Sequence, residues 1–356
     1  MKVTILTCHN VYNCGASLQV YALQSYLESV GYEVEILNYI PKYLDKYSLT
    51  KVNNPKYNKP VIKQLYILSK LVGRLKNRKS QVKRSFDMFT KKYLSVSSKR
   101  YSSLKELKNS ELESDIWVVG SDQVWNPLFE NGKDPTFFLS FVKEGKKFSY
   151  AASISTHEFK DEKFLSNLNL LNDFEKVSVR ERSSICDLRR FGIESYYSCD
   201  PVFLLKKDTW IKYITQNTSE YAFYYIFCNS SLSNYTQRKL DLPVHSYFDS
   251  NEIREKGPFG FLSEIYSAKV IVSNSFHATA FAILFNKDFY VLAREDCDIN
   301  MRMKDLLNDL GLYDRYITNK KQFEDVKPID WKRVNKLLDK LITCSRNYLK
   351  GIKKYV

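Results

Sequence analysis

The sequence predicts an α/β protein built on parallel sheet, and three observations carry that prediction. Two stretches, Lys2–Tyr39 and Lys269–Arg294, each run from a short β-branched strand through a polar turn into a helix and out into a second strand. Short apolar runs recur between helical segments along most of the chain, which is the rhythm of parallel strands joined by crossovers. The 356 residues, 44% of them hydrophobic, suffice for two ordinary domains, each with its own core.

Taken in order, Lys2 to Thr7 is the first strand, and Gln19 to Val30 a helix carrying Leu18, Ala22, Leu23, Tyr26 and Leu27 on one face. Gly31 stops it, and Glu33 to Tyr39 is the second strand. The turn between, Cys8 to Ser17, holds a glycine but not the GxGxxG pattern, so no dinucleotide is implied. Asn13 and Gly15 read equally well as residues that serve backbone geometry.

Residues 41–110 interrupt the alternation. They hold 19 Lys and Arg against 3 Asp and Glu, a net of +16 in a chain of +15, so the remainder is close to neutral at −1. Val61 to Leu75 and Asn77 to Tyr93 read as basic helices, the second carrying Phe86, Met88 and Phe89. Such helices either lie on an anionic membrane surface or form a solvated pair packed on the domain.

The sheet resumes with Asp115 to Val119, followed by the polar loop Gly120–Pro127, and then Lys147 to Ser155. A short strand at Val177 leads into a helix over Ser184–Phe191, and Tyr196 to Leu205 closes the first half. Asp200-Pro201 marks a turn there, because a residue before proline is steered away from helix. The second half repeats the rhythm: strand Tyr221–Cys228, helix Ser231–Leu240, strand Val244–Phe248, a helix from Gly257 to Ala268, and then Lys269–Arg294. Met303–Leu310 and a long basic Trp331–Lys350 helix end the chain. The expected division is 1–200, 201–330 and a C-terminal helix at 331–356, with a cleft between the two α/β domains.

The seven cysteines are odd in number and scattered without a CxxC pair, so neither a disulfide framework nor a zinc site is expected. A reducing cytoplasm fits, and no stretch reaches the roughly 20 apolar residues of a membrane span.

Chemistry concentrates at the strand-to-helix junction Ser273-Asn274-Ser275-Phe276-His277. A helix N-terminus at a strand's carboxyl end offers free N–H groups to an anion, and an imidazole stands among them. The alternative is a capping turn with a structural histidine.

Four segments together resemble the polysaccharide pyruvyl transferase family: Asn13-Cys14-Gly15-Ala16-Ser17-Leu18-Gln19; Val119-Gly120-Ser121-Asp122-Gln123-Val124-Trp125; Ser178-Val179-Arg180-Glu181 with Asp200-Pro201; and Ser273–His277. The match runs from residue 1 to about Arg315, through Asn300-Met301-Arg302, and is poorest in the basic stretch. The resemblance implies two Rossmann-like domains facing a cleft, similar to GT-B glycosyltransferases, with the basic helical insert at about 41–110 in the first. It implies phosphoenolpyruvate as co-substrate, no further cofactor and no metal, and a sugar or lipid-linked oligosaccharide as acceptor. The product would be a pyruvate ketal across two hydroxyls, formed in the cytoplasm or at the inner face of the membrane.

On that resemblance His277 is the general acid and base, and Arg180 anchors the donor. Ser273, Asn274, Ser275 and Arg302 bind the donor, and Asn13, Ser17, Asp122, Gln123 and Trp125 hold the acceptor. Trp125 or Tyr150 would stack on the sugar face. Asp122 reads equally well as a loop turn residue. One position departs from the family's Arg-x-His arrangement: Ser275 stands where the arginine is expected. Arg294, Arg302 and Lys269 are the nearby cations that would replace it. The rival readings are a glycosyltransferase of the same shape using a nucleotide sugar, and a non-catalytic glycan-binding relative. A nucleic-acid partner is not expected, since the charge lies in one insert without a recognition motif.

Overall fold

A computed structural model describes residues 1–45, 81–227, 231–294 and 301–355. Eleven strands among them are β1 (Lys2–Leu6), β2 (Glu33–Ile36), β3 (Ile116–Val119), β4 (Lys146–Ser149), β5 (Val177–Val179), β6 (Ser195–Tyr197), β7 (Ala222–Tyr225), β8 (Val244–Ser246), β9 (Val270–Ser273), β10 (Asp288–Leu292) and β11 (Tyr316–Ile317). The helices that matter for function are α1 (Cys14–Ser29), α2 (Gln81–Tyr93), α3 (Arg182–Arg189), α4 (Gly257–Ser267), α5 (Phe276–Leu284), α6 (Met301–Asp309) and α7 (Trp331–Gly351).

The strands form two main parallel sheets. The first has the order β2-β1-β3-β4, with the β5–β6 pair joined to its edge through bridges at Phe148–Lys176 and Ala152–Val179. The second has the order β8-β7-β9-β10-β11. Both sheets thus reverse direction at the same place, between their first and third strands in chain order. In open parallel sheets that reversal opens a crevice outside the strands' carboxyl ends. The register sets Ile5 beside Val118 in one sheet and Tyr225 beside Ser273 in the other.

Strands β3, β7 and β9 are buried along their whole length, as continuous apolar runs covered by helices on both faces must be. The expected strand over Lys147–Ser155 ends at Ser149. Beyond it Ala151 and Ser155 take left-handed backbone angles, so the small residues there form a packed loop instead.

Helix α1 begins five residues before its expected start. Asn13 accepts the Ala16 N–H at 3.0 Å and caps it, and Cys14, Gly15, Ala16 and Ser17 are its first turn. The helix is buried nearly all round, so no apolar stripe marked its beginning.

Helix α2 is the longest described element of the basic stretch; the expected helix over Val61–Leu75 lies outside the described residues. Phe86 and Phe89 point inward, and Met88, Lys91 and Lys92 outward. The Phe89 ring packs 5.1 Å from Phe259 of α4, tying the insert to the second half. Helix α7 returns to the first sheet, where the Tyr348 hydroxyl donates to the Ser149 carbonyl at 2.8 Å. Among the described residues no helix is long and apolar enough to cross a membrane.

Candidate active site

The carboxyl ends of both sheets face one shared cluster. From the first sheet, β3 leads into Asp122, β5 into Arg180 and Glu181, and β6 into Asp200. Asp122 has a left-handed φ of 69°, a conformation that aspartate tolerates better than bulkier residues. The Ser153 N–H donates to its carbonyl at 2.9 Å and fixes the turn. From the second sheet, β9 leads through Ser273–Ser275 into α5, which presents Phe276 and His277.

Arg180 lies at the centre and is 3% exposed. Its Nη1 donates to Asp200 Oδ2 at 2.6 Å and its Nη2 to Asp122 Oδ1 at 3.3 Å, while Nε lies 3.9 Å from Glu181 Oε1. Its guanidinium stacks on the Phe276 ring at 4.4 Å. His277 Nε2 lies 3.3 Å from the same Asp200 oxygen, but outside hydrogen-bond alignment. Among the described residues two buried nitrogens of this cluster have no hydrogen-bond partner: Arg180 Nε, and His277 Nε2, whose near neighbour is Asp200. Native proteins rarely leave such groups unpaired away from a ligand.

Arg302, in the first turn of α6, reaches the same place. Its Nη1 is 3.7 Å from Asp122 Oδ1, and its guanidinium lies 5.6 Å from the Phe276 ring centre.

The charges pull in consistent directions. Burial raises the Asp200 carboxyl, but His277 and Arg180 outweigh it and hold the group far below the usual carboxylate range. Burial likewise raises Asp122, and Arg180, His277 and Arg302 together bring it below the ordinary value. Glu181 is pushed up, because burial exceeds what Arg180 returns. Burial, with Arg180 as a like charge nearby, lowers Arg302 to about 10.

The N-terminus of α5 has no side-chain cap. Ser273 shapes the turn before it, donating to the Tyr225 carbonyl at 2.7 Å and accepting the Ser275 N–H at 2.9 Å. Asn274 Oδ1 accepts the Phe227 N–H at 3.0 Å. The backbone N–H groups of this turn, rather than the Ser273 hydroxyl, are what an anion would meet.

Of the residues singled out in the sequence, Asp122, Arg180, His277 and Arg302 converge here. Gln123 is adjacent, donating to Ser155 Oγ at 2.9 Å. Asn13 is the α1 cap, and Ser17 is buried one turn further on. Two expectations are corrected. Trp125 is 0% exposed, stacks on Phe138 at 5.5 Å and donates its indole N–H to the Phe137 carbonyl at 2.8 Å. Tyr150 is equally buried and donates to the Cys199 carbonyl at 3.0 Å. Both are core residues with no ring face for a sugar, because large apolar rings next to a sheet are drawn into its packing. Of the three cations weighed against Ser275, Arg302 reaches the cluster; Lys269 pairs with Glu220 on the surface, and Arg294 lies 5.6 Å over the Phe227 ring.

Sequence reasoning gave no role to Asp200, which it read as a turn marker, or to Glu181. Nor did it find why position 15 is glycine. Asp200 and Glu181 were visible only as members of motifs, since nothing local says that a carboxylate beside a proline or an arginine will be buried.

Comparison with known proteins bears on this geometry. The sequence model of the polysaccharide pyruvyl transferase family matches residues 13–296. No curated protein gives a significant match. Among solved structures, a Listeria monocytogenes protein described as a candidate UDP-N-acetylglucosamine 2-epimerase aligns over 99% of this chain and 96% of its own, with a TM-score of 0.52 and 9% identity. The UDP-N-acetylglucosamine 2-epimerase of Neisseria meningitidis covers 99% and 100% at 10% identity with a TM-score of 0.46. A functionally uncharacterised Klebsiella pneumoniae protein covers 67% and 86% at 15% identity with a TM-score of 0.42. At such identities the Listeria likeness speaks for the fold, two Rossmann-like units of the GT-B kind.

Proposed function

The chain belongs to the polysaccharide pyruvyl transferase family, and from that premise we propose that it moves the enolpyruvyl group of phosphoenolpyruvate onto two hydroxyls of one sugar, releasing phosphate. The observation that carries this reading is the convergence of His277, Arg180 and Arg302 on two ionised carboxylates, with two buried nitrogens left without a hydrogen-bond partner.

The donor's phosphate and carboxylate sit against Arg302, Arg180 Nε and the uncapped N-terminus of α5. His277 delivers a proton to the enol CH2, which becomes the ketal methyl group. The adjoining carbon is then attacked by the first sugar hydroxyl and loses phosphate. The second hydroxyl closes the ketal at the same carbon. Two C–O bonds form and one breaks. Of the two hydroxyl protons, one restores His277 and the other leaves with phosphate. An imidazole suits this exchange near neutral pH. Asp200 Oδ2 stands 3.3 Å from the imidazole Nε2 and faces the charge the ring carries as it passes its proton. Asp122, kept ionised by its cations, accepts hydrogen bonds from the acceptor's hydroxyls and is too weak a base to take their protons.

Ser275 in the expected arginine's place favours a second reading, a glycosyltransferase with a nucleotide sugar. Arg302 supplies a cation at the site and weighs toward phosphoenolpyruvate. Thermal denaturation with each donor separates them, because a ligand of the native state raises the melting temperature. A rise with a nucleotide sugar and none with phosphoenolpyruvate would overturn the pyruvyl reading. We further propose that the basic stretch of residues 41–110 brings the enzyme to an anionic membrane surface carrying a lipid-linked acceptor.

A further inference from the structure

We infer that Phe227 and Phe248 form a stacking platform for a pyranose ring of the acceptor, a site that takes over the role sequence reasoning gave to Trp125. The inference rests on the acceptor being a sugar.

The two rings are 40% and 38% exposed, although they stand on a buried aromatic layer made by Tyr225 and Tyr247. Their centroids are 5.3 Å apart with planes tilted by 46°, so together they form a shallow apolar V rather than one flat shelf. Aromatic rings left in water beside a cleft cost hydration free energy, and a patch of this kind marks an interaction surface.

Its position is at the carboxyl end of the second sheet. Phe227 follows β7 and Asn274 follows β9, the two strands between which the second sheet reverses, and the Phe227 N–H bonds to Asn274 Oδ1 at 3.0 Å. The platform thus abuts the turn that precedes His277. On the other side, the Tyr247 hydroxyl is 3.0 Å from Cys14 Sγ, which sets the layer against the first turn of α1, next to Asn13. Phe227 therefore adjoins the turn before α5, and the layer beneath the rings touches the first turn of α1.

A pyranose matches these surroundings. It offers an apolar C–H face to an aromatic ring and a rim of hydroxyls to amides and cations. Here the rim amide is Asn274, whose Oδ1 holds the Phe227 N–H, while Arg294 covers part of the Phe227 ring at 5.6 Å and leaves the Phe248 ring as the main stacking face. A planar base would lie flat on one ring only, and the 46° tilt would leave the other unused.

The test is saturation-transfer NMR of the full chain with four methyl pyranosides, those of β-glucose, β-galactose, α-mannose and N-acetyl-β-glucosamine, and separately with uridine monophosphate. We expect transfer to the ring C–H protons of at least one pyranoside, and binding about tenfold weaker in Phe227→Ala/Phe248→Ala. Phe248→Tyr should retain it. The melting shift with phosphoenolpyruvate should be the same in all three proteins, which also reports that the variants fold. No transfer to any pyranoside in the wild type, undiminished transfer in the double variant, or loss confined to the nucleotide would each overturn the platform. Loss of pyranoside binding in a protein whose wild type shows no phosphoenolpyruvate shift would leave the platform standing and remove the donor reading.

Discussion

Gly15 and His277 occupy adjoining space across the cleft: a Cβ on Gly15 would fall 2.2 Å from His277 Nδ1 and 2.6 Å from its Cβ. The glycine sits in the first turn of α1, where it weakens the helix relative to alanine by roughly 1 kcal/mol. The backbone angles there do not require it. What requires it is an imidazole from the other sheet that must come close enough to reach Asp200.

Gly15→Ala should therefore injure the reaction more than the fold. The added methyl meets a ring and its Cβ, so the two halves must part slightly, at a cost of about 1–3 kcal/mol in stability. A misplacement of about 1 Å at a reacting group lowers turnover roughly 10²-fold. His277→Ala, measured beside it, should lower phosphate release from phosphoenolpyruvate by about 10²–10⁴-fold while the melting transition stays cooperative. Wild-type turnover in either variant would remove His277 from the chemistry.

Arg302→Ala is the sharper test of the donor site. Arg180→Ala would leave the Asp122, Asp200 and Glu181 carboxyls buried without the arginine at their centre, and a lost melting shift there would be read against a fold weakened by about 3–5 kcal/mol. Arg302 carries less of that structure, since among the described residues its ion contact in the cluster, to Asp122, is at 3.7 Å. The melting shift given by phosphoenolpyruvate should largely vanish in Arg302→Ala and persist in Lys269→Ala. The opposite pattern would assign the donor elsewhere.

Stability should fall in acid through Asp200 and Asp122. Both have folded pKa values below their unfolded value near 4, so the unfolded chain takes up protons first as the pH drops. Their contribution is complete above about pH 5 and is lost progressively below about pH 4. Glu181, whose folded value is raised, works the other way and costs stability once the pH exceeds its unfolded value. Asp200→Asn keeps an oxygen for the Val202 N–H but unpairs Arg180 from its closest partner. It should cost about 3–5 kcal/mol at pH 7 and flatten the decline below pH 4, read from urea midpoints across pH. An unchanged acid slope would show that Asp200 does not carry this linkage.

Membrane association should depend on charge. Co-sedimentation with phosphatidylglycerol vesicles should fall as salt rises and fall again in Lys91→Glu/Lys92→Glu, whose side chains face outward from α2. Equal sedimentation with neutral phosphatidylcholine vesicles would argue against an electrostatic attachment.

The sequence by itself determined the α/β class, the repeated strand–turn–helix units and the motifs of the family. Through the resemblance to the family it also pointed to Asp122, Arg180 and Arg302, and to His277, which the strand-to-helix junction marks as well. The class and the repeated units are local properties: β-branched runs, a polar turn, and a helix after it leave their mark within a dozen residues. Only the tertiary structure decided that Asp200 lies between Arg180 and His277, that Gly15 makes room for the imidazole, and that Trp125 belongs to the core while Phe227 and Phe248 stay exposed. Each of those outcomes depends on loops from two sheets meeting at their carboxyl ends. Burial and pairing there are set by which distant strand ends become neighbours, and no short-range pattern of residues records that.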